Sequence, residues 1–279
     1  MFNHLTFTIL VAAGSWLAGF LGALTGLGGG VVIVPMLTLL FGVDLRYAVG
    51  ASIVAVIATS SGAAAAYVRE GFSNIRIGMF LEIATTFGAL WGAFLHAHLS
   101  TSAIAVIFGL VLLYSAWESI RPPAPVPPGE PPDRLAAFLR MNGSFPEGDH
   151  VRSYHVRHVP AGFGLMAVAG AISGLLGIGS GAMKVLAMDR VMRIPFKVST
   201  TTSNFMIGVT AAASAGIYLF RGLVVPELAM PVVLGVLGGS ISGAHVLVRA
   251  RAAKLRLLFG AVIAVMALEM LIEGLTRRI

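Results

Sequence analysis

Apolar segments of about twenty residues recur along almost the whole chain, which is the length of a helix that crosses the ~30 Å hydrocarbon core of a bilayer. Six of these segments have that length, whereas the first and the fifth are much longer. The segments cover residues 5–41, 47–67, 77–97, 101–119, 161–192, 198–220, 226–248 and 255–275. The chain is therefore expected to cross a membrane many times.

The composition agrees with this expectation. Hydrophobic residues make up 57% of the 279 residues and charged residues only 11%, whereas soluble domains carry roughly 25% charged residues. A soluble domain could not bury so much apolar surface, and a disordered chain would have the opposite composition. The chain has no cysteine, which excludes disulfides and thiolate chemistry. We predict an all-α polytopic protein of the cytoplasmic membrane.

Glycines interrupt the two long apolar segments. A continuous helix over residues 5–41 would be far longer than the bilayer core, so this segment must contain a break. Residues 28–30 are all glycine, and the second long segment is interrupted in the same way by the Gly-Ser-Gly sequence at residues 179–181. We predict that each long segment is a helical hairpin that enters the membrane, turns at its glycines and returns.

The two halves of the sequence repeat each other. A shift of 151 residues aligns them without a gap and places Gly28 on Gly179 and Tyr67 on Tyr218. Chance matches of glycine and alanine are common in membrane sequences, but an ungapped register that includes aromatic residues is not. We infer an internal duplication in which each repeat holds one glycine-broken hairpin and three further transmembrane helices.

A segment of different composition separates the repeats and contains most of the 13 prolines, which is typical of an extended spacer. We predict a first membrane repeat at residues 1–121, a proline-rich cytoplasmic linker at 122–158 and a second membrane repeat at 159–279. Within the linker, residues 133–141 could form a short surface helix capped by Asp133. A partly ordered connector is the alternative.

Basic residues in the loops test this topology. If both long segments are hairpins, nearly all lysines and arginines of the loops lie on one side, and only Arg46, Arg221, Arg277 and Arg278 lie on the other. If both long segments crossed once, the bias would disappear. The positive-inside rule therefore favours hairpins and places both termini outside the cytoplasm. The repeats then have opposite orientations, as in many secondary transporters. The net charge of +7 reflects these loops rather than a nucleic-acid site.

The first glycine break and the helix after it, residues 22–35 and 48–52, resemble the TauE/SafE family of membrane permeases, also called the toluene sulfonate uptake permease family. Residues 174–181 and 199–203 resemble a degenerate second copy. The resemblance implies a secondary transporter, usually an exporter, whose substrate is sulfite or a small organosulfonate anion. No motif indicates an enzyme, a cofactor or a metal site.

The helices that restart after the breaks would bind the anion through the free N–H groups and the dipole at their N-termini. Glycine can adopt positive φ there and lets a ligand approach the backbone, although it also permits tight helix crossing without any ligand. Hydroxyl and amide side chains on the next helix suit sulfonate oxygens, but they also bond neighbouring helices. The candidate substrate-binding residues are Gly28, Gly29, Gly30, Ser52, Gly179, Ser180, Gly181, Lys184, Ser203 and Asn204.

Two charged residues lie inside predicted spans. Lys184 replaces Ile33 of the first repeat, and a lysine near the bilayer centre costs about 2.5–3.5 kcal/mol on insertion scales. We expect it to attract the anion, with snorkelling or pairing with Glu82 as the alternatives. Glu82 is a candidate proton carrier, and an interfacial ion pair with Arg76 is its alternative role.

Two functions fit these features. The first is a transporter of sulfite or a small organosulfonate. The second is a non-transporting membrane scaffold or assembly factor that recruits a partner through the linker. Transport is favoured because a scaffold has no need for two broken helices in corresponding positions. The sequence carries no signal for an oligomeric state.

Overall fold

The computed structural model describes residues 4–25, 28–69, 73–120, 133–147, 150–249 and 253–276. Helices account for most of this part of the chain, which also contains two π-helical turns, Met36–Leu40 and Ala187–Val191. The elements are α1 (His4–Thr25), α2 (Gly30–Pro35), α3 (Leu45–Arg69), α4 (Ile75–His96), α5 (Thr101–Ile120), α6 (Arg134–Phe138), β1 (Gly143–Glu147), β2 (His150–Tyr154), α7 (Val159–Leu176), α8 (Gly181–Leu186), α9 (Phe196–Phe220), α10 (Pro226–Arg249) and α11 (Ala253–Thr276).

Six helices among the described residues are long and apolar enough to cross a membrane. They belong to α1, α3, α4, α7, α9 and α10, while α5 contributes the shorter apolar helix Thr101–Trp117. Large apolar side chains such as Phe87 and Trp91 are exposed on these helices, as expected of surfaces that face lipid. The predicted class, a helical multi-pass membrane protein, is confirmed.

The same order of helices occurs twice along the chain. Helix α2 starts at Gly30 and α8 at Gly181, while α3 starts at Leu45 and α9 at Phe196, so both pairs are separated by the shift of 151 residues found in the sequence. The breaks before α2 and α8 occur where the glycines were expected to interrupt the long segments. Each half therefore contains the predicted broken segment followed by three further helices.

Helix packing between the halves is reciprocal. Helix α1 packs along α10, and its counterpart α7 packs along α4. A Cβ atom on Gly88 of α4 would overlap the carbonyl oxygen of Ala167, and one on Gly239 of α10 would overlap that of Trp16. These two contacts correspond under the same shift. Small residues thus bring both helix pairs into backbone contact, as is common in membranes.

Helices α3 and α9 correspond to each other and run antiparallel. Gly50, near the start of α3, lies against the carbonyl of Leu223, just beyond the end of α9. At the opposite end, the backbone N–H of Asn74 donates to the hydroxyl of Thr202, 3.0 Å away. Helices α5 and α11 also correspond and run antiparallel.

The part of the linker after residue 132 is folded, whereas its proline-rich residues 122–132 lie outside the described residues. Asp133 caps α6 by accepting a hydrogen bond from the Leu135 N–H, as expected, but the helix ends at Phe138 and is followed by an antiparallel β-hairpin that the sequence did not indicate. The linker side chains buried against α4, α7 and α9 are Ala136, Met141, Phe145, Tyr154 and Val156.

Tyr154 fixes this hairpin to the start of α4. Its hydroxyl accepts a hydrogen bond from Asn74 Nδ2 at 2.7 Å, and the same amide donates to the carbonyl of Met141 at 3.1 Å. The side chain is only 3% exposed. Burial raises the pKa of Tyr154, and the hydrogen bond from Asn74 partly offsets this rise. The linker is thus attached to the membrane helices by a buried polar contact.

Candidate functional site

The two glycine breaks meet halfway along α3 and α9. A Cβ atom on Gly179 would lie 2.7 Å from Ile207 Cγ2 and 3.0 Å from Val56 Cγ1, and one on Gly28 would lie 3.3 Å from the carbonyl oxygen of Ile178. Val56 and Ile207 occupy the middle of the two helices. The described non-helical backbone of the breaks, residues 28–29 and 177–180, is therefore enclosed by protein, which is the condition for such backbone inside a membrane.

Only part of the glycine prediction holds in detail. Gly28 and Gly179 have φ of 81° and 76°, a region that favours glycine. Positive φ is wrong for Gly29, whose φ is −67°, and for Gly30 and Gly181, which begin helices. Gly30 needs glycine for space, because a Cβ atom there would lie 2.8 Å from the Cα of Ile178.

Three candidate hydroxyl groups bond backbone carbonyls at the breaks. Ser52 Oγ donates to the carbonyl of Gly177 at 2.8 Å, and Ser203 Oγ donates to that of Gly181 at 3.4 Å. Ser180, which has a φ of 43°, donates to a carbonyl of α7 at 2.5 Å. Each hydroxyl has a single hydrogen, so in this conformation the three serines stabilise the breaks and do not present a donor to a ligand.

Asn204 differs from the serines. Its backbone carbonyl accepts a hydrogen bond from Ser60 Oγ, but its Nδ2 atom is buried without a partner among the described residues. A buried amide donor that lacks a partner is rare and calls for an explanation. Asn204 is therefore the one polar candidate on α9 whose donor is available to an anion.

Lys184 and Glu82 meet through a third residue, Thr210. Lys184 is 0% exposed and Glu82 is 7% exposed. Lys184 Nζ donates to Thr210 Oγ1 at 2.5 Å, and Thr210 Oγ1 lies 2.6 Å from Glu82 Oε1. Lys184 therefore does not snorkel to the membrane surface, and the structure brings it together with Glu82.

The alternative role of Glu82, an ion pair with Arg76, is not seen among the described contacts, since the guanidinium group of Arg76 donates to the carbonyl of Arg140 instead. Thr86 Oγ1 provides a further contact to Glu82 Oε1 at 3.3 Å, whereas Glu82 Oε2 is buried without a partner among the described residues. Glu82 thus keeps one oxygen atom free for a proton or a ligand.

The charged group adjoins the glycine breaks. Thr210 follows Ile207 by one helical turn on α9, and Ile207 contacts both breaks. Sequence analysis did not select Thr210 as a site residue, although the shift of 151 residues places it on another threonine, Thr59. The sequence signal for it is that both repeats carry a threonine at this position, near the middle of a predicted span.

His96 and Tyr218 hold the end of α7 before the second break. His96 Nδ1 donates to the carbonyl of Leu175 at 2.8 Å, and Tyr218 Oη donates to that of Gly174 at 2.8 Å. The two rings are also in contact, with centroids 5.1 Å apart. These hydrogen bonds satisfy carbonyl groups that a helix C-terminus leaves open. Within the described residues, no group of three or more His, Asp or Glu side chains could hold a metal ion.

Two glycine-broken helices that meet at the centre of a helical membrane protein, beside a buried lysine, are typical of membrane transporters. The comparison with known families agrees. Residues 11–270 match the family described as "Sulfite exporter TauE/SafE", and the chain belongs to this family. The resemblance found in the sequence is therefore confirmed.

Relatives with similar names cover the chain along most of its length. A "Probable membrane transporter protein YunE" of Bacillus subtilis (strain 168) is 25% identical over 97% of this chain and 99% of its own. YdhB of the same organism, also called a probable membrane transporter protein, is 25% identical over 85% of this chain and 89% of its own. A probable membrane transporter protein of Xylella fastidiosa (strain 9a5c) is 24% identical over 94% of both chains. No solved structure matches the chain.

Proposed function

We propose that this transporter exports sulfite or a small organosulfonate anion across the cytoplasmic membrane. The observation that carries the proposal is the position of the Lys184 ammonium group, which is fully buried one helical turn from the meeting point of the two glycine breaks. A buried cation is expensive in a membrane and marks a substrate or ion pathway. The family to which the chain belongs supports the choice of a sulfur oxyanion.

The anion would bind between the breaks and the charged group. A helix leaves its first N–H groups without i→i−4 partners. In α2 the N–H of Val32 already donates to the carbonyl of Gly29, so the N–H groups of Gly30 and Val31, with those at the start of α8, would face the anion. Each helix continues for a further π-helical turn, which lengthens its dipole. Lys184 would supply the charge, and Asn204 Nδ2 would donate to a sulfonate oxygen. The backbones of Gly28, Gly29, Gly30 and of Gly179, Ser180, Gly181 would line the site, together with Ser52 and Ser203.

We also propose that the two repeats are inverted in the membrane, with both termini outside the cytoplasm. The antiparallel packing of α3 with α9 and of α5 with α11 supports the inversion. The clustering of loop lysines and arginines on one side supports the orientation. Alternating access would then consist of one repeat rocking against the other around the glycine breaks.

The division into a first repeat at 1–121, a cytoplasmic linker at 122–158 and a second repeat at 159–279 remains part of this proposal. Exposed apolar side chains on the linker, Phe138 at 83% and Val151 at 73%, favour the alternative function, a scaffold that recruits a partner. Shortening residues 125–132 separates the two. If the linker only connects the repeats, the shortened protein should keep its flux within a few-fold of the parent, whereas loss of flux with normal insertion would favour recruitment of a partner.

Flux in proteoliposomes tests the proposal directly. The purified protein is reconstituted, and the exit of preloaded radiolabelled sulfite, methanesulfonate and sulfoacetate is followed, with chloride and a neutral sugar as controls. Selective exit of at least one sulfur oxyanion is expected. Correctly folded protein that moves none of the three would contradict transport of this substrate class. Comparison of inside-out and right-side-out vesicles then establishes the preferred direction.

A further inference from the structure

We propose that Glu82 competes with the transported anion for the charge of Lys184, so that one proton travels with each monovalent anion. The inference rests on the proposed anion site at Lys184 and adds its coupling ion. It starts from the three side chains that form one chain of contacts, Lys184 to Thr210 to Glu82, at distances of 2.5 and 2.6 Å.

The charges inside this region balance. Glu82 lies on α4, which packs against α7 and α9. Helix α7 carries no charged residue, and the cations of the α9 segment, Lys197 and Arg221, lie at its two ends. His96 of α4 is about four helical turns from Glu82. No charged residue of α7 and none within the length of α9 faces Glu82, and Lys184 of α8 reaches it through Thr210.

A second negative charge cannot join this pair without a compensating change. If a monovalent anion approached Lys184 while Glu82 stayed ionised, one buried cation would face two anions. An unpaired buried charge is far more costly than a neutral pair. Binding of the anion therefore requires that Glu82 lose its charge.

Protonation of Glu82 removes the charge with a balanced step. A hydronium ion in the water on the open side of the transporter transfers its proton to the carboxylate: one O–H bond of the hydronium breaks, an O–H bond forms on Glu82, and a water molecule is left. Glu82 Oε2, which is buried without a partner among the described residues, is available for this proton. Release of the anion on the opposite side reverses the step, and the carboxylate returns to the Thr210–Lys184 contact.

Thr210 is the positioning residue of this exchange. Its hydroxyl accepts from Lys184 and can donate to Glu82, and it can also donate to the carbonyl of Met206 at 2.9 Å. The hydroxyl hydrogen of Thr210 can thus move from Glu82 to the carbonyl of Met206 and keep a hydrogen-bond partner. This alternative partner would let Glu82 separate from Lys184 without leaving a buried hydroxyl unsatisfied.

The Lys184–Thr210–Glu82 arrangement has no charged counterpart at the positions that the repeat relates to it. The positions that correspond to Lys184, Thr210 and Glu82 are Ile33, Thr59 and Val233. A duplicated fold therefore forms the same packing with apolar side chains, and the charges are not needed to build it. Replacing a buried ion pair by apolar residues often leaves stability unchanged or higher, so the retained pair is better explained by coupling than by stability.

Coupling of one proton to one monovalent anion makes transport electroneutral. The anion and the proton move in the same direction, and the membrane potential has no effect on the flux. Export then depends on the outward concentration gradient of the anion, opposed by any inward proton gradient. This distinguishes the mechanism from the exit of an uncompensated anion, which a negative-inside potential would accelerate.

Proton uptake on anion binding gives the sharpest test. The purified protein in weakly buffered detergent solution is mixed with methanesulfonate, whose charge stays fixed over the working pH range, and with sulfite, while a pH indicator is recorded. We expect the parent to take up about one proton per bound anion at alkaline pH and to bind the anion more tightly as the pH falls. Flux of methanesulfonate in proteoliposomes should be unchanged by an imposed potassium diffusion potential.

Three variants refine the test. Glu82→Gln should bind methanesulfonate without proton uptake, with an affinity independent of pH and about tenfold tighter than the parent at alkaline pH, since one competing charge is removed. Thr210→Val should shift the pH dependence of anion binding, whereas Thr210→Ser, which keeps the hydroxyl group, should retain the pH dependence of the parent. Glu227→Gln, at an exposed carboxylate in the first turn of α10, should behave like the parent.

The outcomes separate the two proposals. If the anion binds the parent with no proton uptake, and Glu82→Gln shows the same affinity and pH dependence, the coupling is wrong while the proposed function stands. If Thr210→Val is less stable but keeps the parental pH dependence, Thr210 is only structural and its role here is overturned. If no sulfur oxyanion binds to or crosses with the folded parent, the proposed function fails and the coupling fails with it.

Discussion

Gly30 at the start of α2 lies directly against the backbone of Ile178 in the break before α8. A Cβ atom on Gly30 would be 2.8 Å from the Cα of Ile178 and 2.7 Å from Ser52 Oγ. The two halves thus meet at the candidate site through backbone atoms, with no side chain between them. Any movement of one repeat against the other must change this contact.

Replacement of Gly30 tests how closely the halves must approach. Gly30→Ala should lower the free energy of unfolding by about 1–3 kcal/mol, the typical cost of overpacking a filled interior. Movement of a flexible side chain alone cannot make room for the added methyl group, because its nearest neighbours include the backbone of Ile178. Thermal unfolding of the detergent-solubilised protein measures the change.

Gly216→Ala is the matched control for this substitution. Gly216 lies on the exposed side of α9, and a Cβ atom there has no neighbour within 4 Å. Alanine should be neutral or should stabilise the helix by up to about 1 kcal/mol. Equal thermal shifts for Gly30→Ala and Gly216→Ala would contradict the close contact between the halves.

Removal of the buried cation tests the anion site. Lys184→Met should weaken binding of sulfite or methanesulfonate by about 1–3 kcal/mol, or roughly 5- to 150-fold, which is typical of the loss of a charge-assisted contact. Titration calorimetry or a ligand-dependent thermal shift measures the affinity. Lys197→Met, at an exposed lysine near the start of α9, should leave it within about twofold of the parent.

Lys184→Met also leaves Glu82 without its positive partner, which can destabilise the fold by itself. The double variant Lys184→Met/Glu82→Gln avoids this effect because it removes both charges. It should recover the stability of the parent and still bind the anion weakly. Parental affinity in the double variant would show that the anion binds elsewhere.

Cysteine labelling tests the proposed orientation in the membrane. The chain has no native cysteine, so a single introduced thiol reports one position. Ala97→Cys, after α4, and Thr276→Cys, at the end of α11, should react with an impermeant maleimide on intact cells. Val151→Cys on the linker hairpin should react only after the membrane is opened. Labelling of positions 97 and 151 from the same side would contradict the inverted arrangement.

The contact between the linker and α4 makes a separate prediction. Tyr154→Phe removes the hydroxyl that accepts from Asn74 and should cost about 1 kcal/mol, because the half-buried amide of Asn74 keeps its hydrogen bond to Met141 but loses this one. Limited proteolysis should cut the linker faster in this variant. An unchanged cleavage rate would show that the hairpin is held by its apolar contacts alone.

Much of the fold could be predicted because it depends on properties that are local in sequence. The length of an apolar segment determines whether it can cross a bilayer, and the run of glycines at residues 28–30 marks where a helix cannot continue. The 151-residue repeat then predicted α8 and α9 from α2 and α3. The β-hairpin after α6 escaped prediction because its short strands, Gly143–Glu147 and His150–Tyr154, are stabilised by burial of Phe145 and Tyr154 against distant helices.

The candidate site shows the same division. The sequence alone indicated Lys184 and Glu82, because a charged residue within an apolar segment is conspicuous wherever the chain folds. Only the tertiary structure revealed that Thr210 joins them and that Asn204 keeps a buried donor without a partner. It also showed that Gly30 is required for space and Gly28 for its backbone conformation. Such contacts depend on helices far apart in the chain, whose relative placement is decided by packing across the whole membrane domain and not by any local pattern of residues.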